Sequence, residues 1–248
     1  MSSDAAKAKP KPISVQEEKE IHTAFERLCD FPLKVKLNQE KLDIDAWIEA
    51  DKAKSHQYGY VEPVAFIKKS LARKEEIDKE IEALKTKPDM KVVAADVQEM
   101  FKFLNYKCNS KDIDEMIWEV DENLDGGVDW NEFKLMFNRN VMDQTGLEPN
   151  RMYNLAQFLI YDKNRNGLVS VDETMNLLYA RYGRGVMEQK LKELFGEDMH
   201  EIGRQGGEIT YNQYIASVER VQLNMFLETN KGRIVKKQMK NDNKNNKH

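Results

Sequence analysis

Apolar residues recur along much of this chain at three- and four-residue spacing, the period of a helix with one buried face. Ile21, Phe25 and Leu28 form the first such stripe, opened by Ser14 and Glu17 in a capping-box arrangement and expected to end at Phe31-Pro32. Leu42, Ala46, Trp47 and Ile48 mark a second stretch, from about Asn38 to Lys54. Pro63 suits a helix first turn and opens a long charged segment reaching about Thr86. Ile113, Met116, Ile117 and Val120 lie on another face, with Ser110 as the expected cap and Asp112 and Asp114 in the first turn. Phe133, Met136 and Phe137 continue the pattern. Phe158 and Tyr161 repeat it on a helix where Asn154 and Gln157 stand at positions that are otherwise apolar. No apolar run approaches the roughly eighteen residues of a membrane span. The fold class expected is all-α.

Two polar islands interrupt the helical pattern with a fixed internal order. Residues 121–132 place oxygen donors at Asp121, Asn123, Asp125, Asp129 and Glu132, with Gly126 at a sharp turn and Val128 as the single core-facing apolar residue. Ca²⁺ is a hard cation that takes about six to eight oxygens, and a loop of alternating donors can wrap it. The expected ligands are the side chains of Asp121, Asn123, Asp125 and Asp129, the carbonyl of Gly127, and both oxygens of Glu132. Residues 162–173 repeat the pattern with Asp162, Asn164, Asn166, the Leu168 carbonyl, Ser170 and Glu173, with Gly167 at the turn and Val169 facing the core. Four ligands of the first loop are carboxylates but only two of the second, which also carries Lys163 and Arg165. Affinity follows ligand charge, so the first loop is expected to bind more tightly.

These loops resemble those of EF-hand proteins, a likeness that implies pairing through a short β bridge, and a candidate partner lies beside each. Residues 85–96 keep Val92 at the core position but carry Lys85 and Lys87 where ligands belong, Met90 for the glycine and Asp96 at the twelfth place. Residues 202–213 keep Gly207 and Ile209 but carry Arg204, Gly206 and Gln213. Neither is expected to hold calcium. Val92 is expected to bridge Val128, and Val169 to bridge Ile209.

The stretch from Val97 to Phe137 resembles the calmodulin and troponin C superfamily of EF-hand proteins. With its two degenerate hands and helical extension, the whole chain is also similar to small EF-hand proteins of ciliary and flagellar axonemes, including those bound inside doublet microtubules. That likeness implies tubulin and other axonemal proteins as partners, in a cytoplasmic, cytoskeletal setting. The alternative is a free calcium sensor that receives an amphipathic target helix, with Met116, Met136, Met152 and Met175 lining its grooves.

The expected organisation is an extension over 1–62, one pair of hands over 63–141, a second over 148–228, and a basic tail over 229–248. In that tail Lys231, Arg233, Lys236, Lys237, Lys240, Lys244 and Lys247 face only Asp242. No aromatic residues interleave with the basic ones, which argues against nucleic acid. The start lacks an apolar signal core, and Cys29 and Cys108 have no metal-binding or redox spacing, so a reducing compartment is expected. His22, His56, His200 and His248 are scattered, and no phosphate loop or paired acid and base accompanies them. The expectation is a non-enzyme, with neither catalytic nor organic cofactor-binding residues, that does not enter a membrane.

Overall fold

A computed structural model describes residues 12–54, 63–143, 147–196 and 207–228. Its order is α1 (Val15–Leu28), α2 (Phe31–Lys54), α3 (Val64–Lys85), α4 (Ala94–Phe103), α5 (Ser110–Trp118), α6 (Trp130–Met142), α7 (Arg151–Tyr161), β1 (Leu168–Ser170), α8 (Val171–Phe195), β2 (Glu208–Thr210) and α9 (Tyr211–Glu228). These residues fall into two units. One comprises the described residues of Ile13–Lys102 and Lys107–Asn138, and the other Pro12, Phe103–Tyr106 and the described residues from Arg139 onward. Among the described residues no helix is long and apolar enough to cross a membrane.

In the amino-terminal unit, α1 opens on a full capping box: Glu17 N donates to Ser14 Oγ at 3.3 Å, and Ser14 N donates to Glu17 Oε2 at 2.8 Å. The helix ends at Leu28, before the Phe31-Pro32 pair, because Asp30 turns to φ 52°. Lys34 then ties off its last carbonyls, donating from Nζ to Glu26 O and Cys29 O at 2.5 and 2.6 Å. Pro32 falls in the first turn of α2, where a missing N–H costs nothing, so α2 starts seven residues before the expected Asn38. Helices α2 and α3 run antiparallel, held by ion pairs of Lys41 with Asp78, Lys74 with Asp45, and Arg73 with Glu40 and Glu80. The Trp47 ring lies 4.1 Å from that of Phe66, so it covers the helix pair.

Helix α5 is capped by Asn109, whose Oδ1 accepts from Asp112 N at 2.8 Å, and Ser110 is its first helical residue instead of the cap. Val92 and Val128 form an antiparallel bridge, with N–H···O bonds of 2.9 Å in both directions. Around it the core gathers Val97, Met100, Ile113, Met116, Phe133 and Met136. The apolar stripe of α1 joins this core. Ile21, Ala24, Phe25 and Leu28 are all buried, and the Phe25 ring lies 5.3 Å from Phe133 and 5.6 Å from Trp130 on α6. An ion pair of Glu18 with Lys134 fixes the same contact at its edge.

In the carboxyl-terminal unit, β1 and β2 pair antiparallel in the register Leu168↔Thr210, Val169↔Ile209 and Ser170↔Glu208. Phe158 of α7 packs edge-on against Tyr211 and Tyr214 of α9, at 5.1 and 5.5 Å. Burial pushes the Tyr161 and Tyr214 phenols well up from their ordinary range. Helix α8 is broken at Gly183, whose φ of 73° and ψ of 173° leave the helical region and separate two helical stretches. Met152, like Met116 and Met136, is core, while Met175 is 37% exposed.

Candidate metal centre

Loop 121–132 is entered from α5 and left through α6, and its local geometry follows from its donors. Asp121 is 6% exposed and accepts from Asp125 N at 3.2 Å and Gly126 N at 2.8 Å. Asn123 Oδ1 accepts from Asp125 N at 2.9 Å. These bonds bend the chain inward and require the positive φ of 87° at Gly126, a region where a side chain would be strained. Gly127 serves a different need: a Cβ there would sit 3.2 Å from Lys91 Cβ and 3.3 Å from Val93 Cγ1, so its bare backbone lets the partner hand approach. Glu132, 7% exposed, reaches back across the loop to accept from Glu122 N, Asn123 N and Asp129 N at 3.0, 3.2 and 2.9 Å. Asp129 returns the bond, accepting from Glu132 N at 2.9 Å.

Loop 162–173 repeats this scheme. Asp162 accepts from Asn166 N and Gly167 N, both at 3.0 Å, Asn166 Oδ1 accepts from Leu168 N at 2.8 Å, and Gly167 has φ 81°. Glu173 Oε1 accepts from Asn164 N at 3.2 Å, while its Oε2 and Ser170 Oγ form a capping box at the start of α8. Asn154 and Gln157, the polar intruders on α7, are accounted for: Asn154 reaches Asn150 Oδ1 at 3.4 Å, and Gln157 donates to Tyr161 Oη at 2.9 Å.

The twelfth position has a second role that the sequence reading missed. In every hand its side chain accepts from the backbone N–H of the ninth residue and so caps the exit helix: Glu132 from Asp129, Glu173 from Ser170, Asp96 from Val93 at 3.0 Å, and Gln213 from Thr210 at 2.9 Å. Capping needs only one good acceptor, so Asp96 and Gln213 serve it as the two glutamates do. Asp96 does more, since its other oxygen accepts from Phe31 N at 3.0 Å, the first residue of α2. Burial raises the Asp96 carboxyl from its ordinary value, opposed by those two backbone bonds. Residues 202–206 of the fourth loop lie outside the described residues.

The donors fit a hard cation. They are all oxygens, and the buried acids Asp121 and Glu132 are met in the structure by neutral amide donors, an arrangement that leaves their charge for a cation to balance. Among the described residues no three His, Cys, Asp or Glu side chains already converge on one point. In the first loop the reason is visible: Glu132 is turned to loop amides, and Asp125 is drawn to Lys91 of the degenerate hand. Lys91 hydrogen-bonding holds the Asp125 carboxyl below its usual range, and the same bond, aided by Asp129 and Glu132, holds the Lys91 ammonium above its own.

Residues 89–140 match the EF-hand domain pair family, a span that takes in the Val92–Val128 bridge and the whole first calcium loop. The chain contains an EF-hand domain pair and binds calcium. It is 23% identical over 149 residues to "Probable calcium-binding protein CML13" of Oryza sativa subsp. japonica, covering 60% of this chain and 83% of that protein. It is 26% identical over 98 residues to "Troponin C" of Todarodes pacificus, covering 40% of this chain and 63% of that one. The chain is longer than either aligned stretch. Its helices α1 and α2 meet the paired hands through Phe25 and through Asp96, a residue inside the matched span.

Proposed function

We propose that this protein is a non-enzymatic structural and regulatory component of a cytoskeletal assembly, the doublet microtubules of the ciliary axoneme, with tubulin and other axonemal proteins as partners. In this reading it is built from two lobes, each joining one calcium-binding and one degenerate hand. Asp121, Asn123, Asp125, Gly127, Asp129 and Glu132 would hold one Ca²⁺, and Asp162, Asn164, Asn166, Leu168, Ser170 and Glu173 a second. Bound calcium supplies a compact divalent charge that draws these oxygens together. Asp121 and Glu132 anchor the two ends of the first loop, and the capping bonds of Glu132 and Glu173 keep the exit helices in register with them.

One observation carries the preference for a built-in component over a free sensor. Helix α1 of the same chain lies against α6 through Phe25, Trp130 and Phe133, the exit helix a sensor lobe would use to meet a target. The basic tail suits an acidic surface such as that of tubulin. A different observation favours the sensor reading for the other unit, where a cavity of about 280 Å³ is lined by Tyr153, Gln157, Tyr161, Tyr182 and Tyr214. The deciding experiment is fractionation of ciliated cells expressing tagged protein. The scaffold reading expects signal along cilia that stays with doublet microtubules through detergent and moderate salt. Diffuse signal released wholly by detergent, together with calcium-dependent capture of an amphipathic peptide, would replace it with the sensor.

A further inference from the structure

The two degenerate hands contact their partner loops at matching places and with opposite charge. Lys91 stands one residue before the bridging Val92, and Glu208 one residue before the bridging Ile209. Each reaches the fifth position of the partner calcium loop: Lys91 pairs with Asp125, and Glu208 Oε1 accepts from Asn166 Nδ2 at 3.2 Å. The Lys91 stem is also fixed, since it crosses Gly127 so closely that a Cβ there would be 3.2 Å from its own. The cation therefore meets the loop with four acidic ligands, and the anion meets the loop with two acidic ligands and the basic neighbours Lys163 and Arg165.

We propose that each degenerate hand sets the calcium affinity of its partner loop through this residue, Lys91 lowering it at 121–132 and Glu208 raising it at 162–173. Calcium at the first loop must take Asp125 from an ammonium already beside it, and that ammonium repels the incoming dication. At the second loop Glu208 adds a carboxylate next to a ligand position occupied by neutral Asn166, offsetting part of the deficit left by the ligand set. The pairing thus draws the two affinities together, and it gives the degenerate hands a task that needs no ion of their own. Both side chains are solvent-accessible, which limits the effect to about two- to fivefold per charge removed.

The proposal rests on the assignment of the two loops as calcium sites, and the test separates the two ideas. Calcium titration by calorimetry on the full chain is compared for wild type, Lys91→Gln, Lys91→Arg and Glu208→Gln, with circular dichroism confirming equal helix content. Lys91→Gln should tighten the first site about two- to fivefold and leave the second unchanged, Lys91→Arg should behave as wild type, and Glu208→Gln should loosen the second site by a similar factor. Two wild-type sites that Lys91→Gln and Glu208→Gln leave within twofold, or move in the opposite direction, overturn this proposal while the ligand assignment stands. A wild type that takes up no calcium overturns the assignment and the proposal together.

Discussion

Replacing Phe25 with alanine tests whether α1 is part of the calcium-binding unit or merely attached to it. Phe25 is 1% exposed, and its ring meets Phe133 and Trp130 on α6 at 5.3 and 5.6 Å. Removing a buried phenylalanine costs about 3–5 kcal/mol when the cavity cannot collapse, and aromatic pairs add about 0.5–1.5 kcal/mol to their area burial. A loss of about 3–5 kcal/mol or somewhat more is therefore expected, a large share of the roughly 5–15 kcal/mol that stabilises a domain. The assay is urea unfolding in chelator, followed by tryptophan fluorescence. Trp47, Trp118 and Trp130 are the chain's three tryptophans, and all lie in the amino-terminal unit, so the signal reports on that unit alone. Val15→Ala on the same helix is the control: at 75% exposure it should change stability by less than about 0.5 kcal/mol. Because Trp130 is the tenth residue of the first calcium loop, Phe25→Ala should also weaken calcium binding there. A loss below about 1 kcal/mol, no greater than an ordinary surface change, would refute the docking of α1.

Two further outcomes follow from the same unit. Asp96→Ala strips the acceptor from Phe31 N and Val93 N at a site only 3% exposed. Each unmet amide costs about 1–3 kcal/mol, partly offset by no longer burying a carboxyl, so a net loss of about 2–3 kcal/mol is expected in the same urea assay and a neutral result would contradict the clamp. Cys29 is fully buried, and burial, followed by the charge of Asp96, pushes its thiol up to about 12, whereas Cys108 is half-buried. Alkylation mapped by mass spectrometry should therefore mark Cys108 in the folded protein and Cys29 only at the unfolding rate; equal labelling would show that α1 does not close over it.

What could be read from the sequence was what depends on local spacing. A twelve-residue loop fixes donors, turn glycine and core residue together, so the turns at Gly126 and Gly167 and the buried places of Val128 and Val169 can be read from spacing alone. The same count located Val92 and Ile209, which the structure pairs with Val128 and Val169. What depends on distant partners was not legible. The bond from Phe31 N to Asp96 spans 65 residues, and nothing in either segment announces the other. The end of α1 rests on Asp30 and not on the proline that follows, because aspartate tolerates the left-handed region and here turns the chain. Asn109 and Ser110 are adjacent cap formers, and only the bond to Asp112 N decides between them. The contacts of Lys91 and Glu208 were within reach, since each adjoins a bridging residue whose partner was already identified.

The assignment of the calcium loops is tested most directly by calorimetric titration of wild type beside Glu132→Gln and Glu173→Gln. Two sites are expected in wild type, the tighter with the four acidic ligands of 121–132. Glu132→Gln should abolish or severely weaken that tighter site and spare the other, and Glu173→Gln should do the reverse. A tighter site that survives Glu132→Gln intact would contradict it.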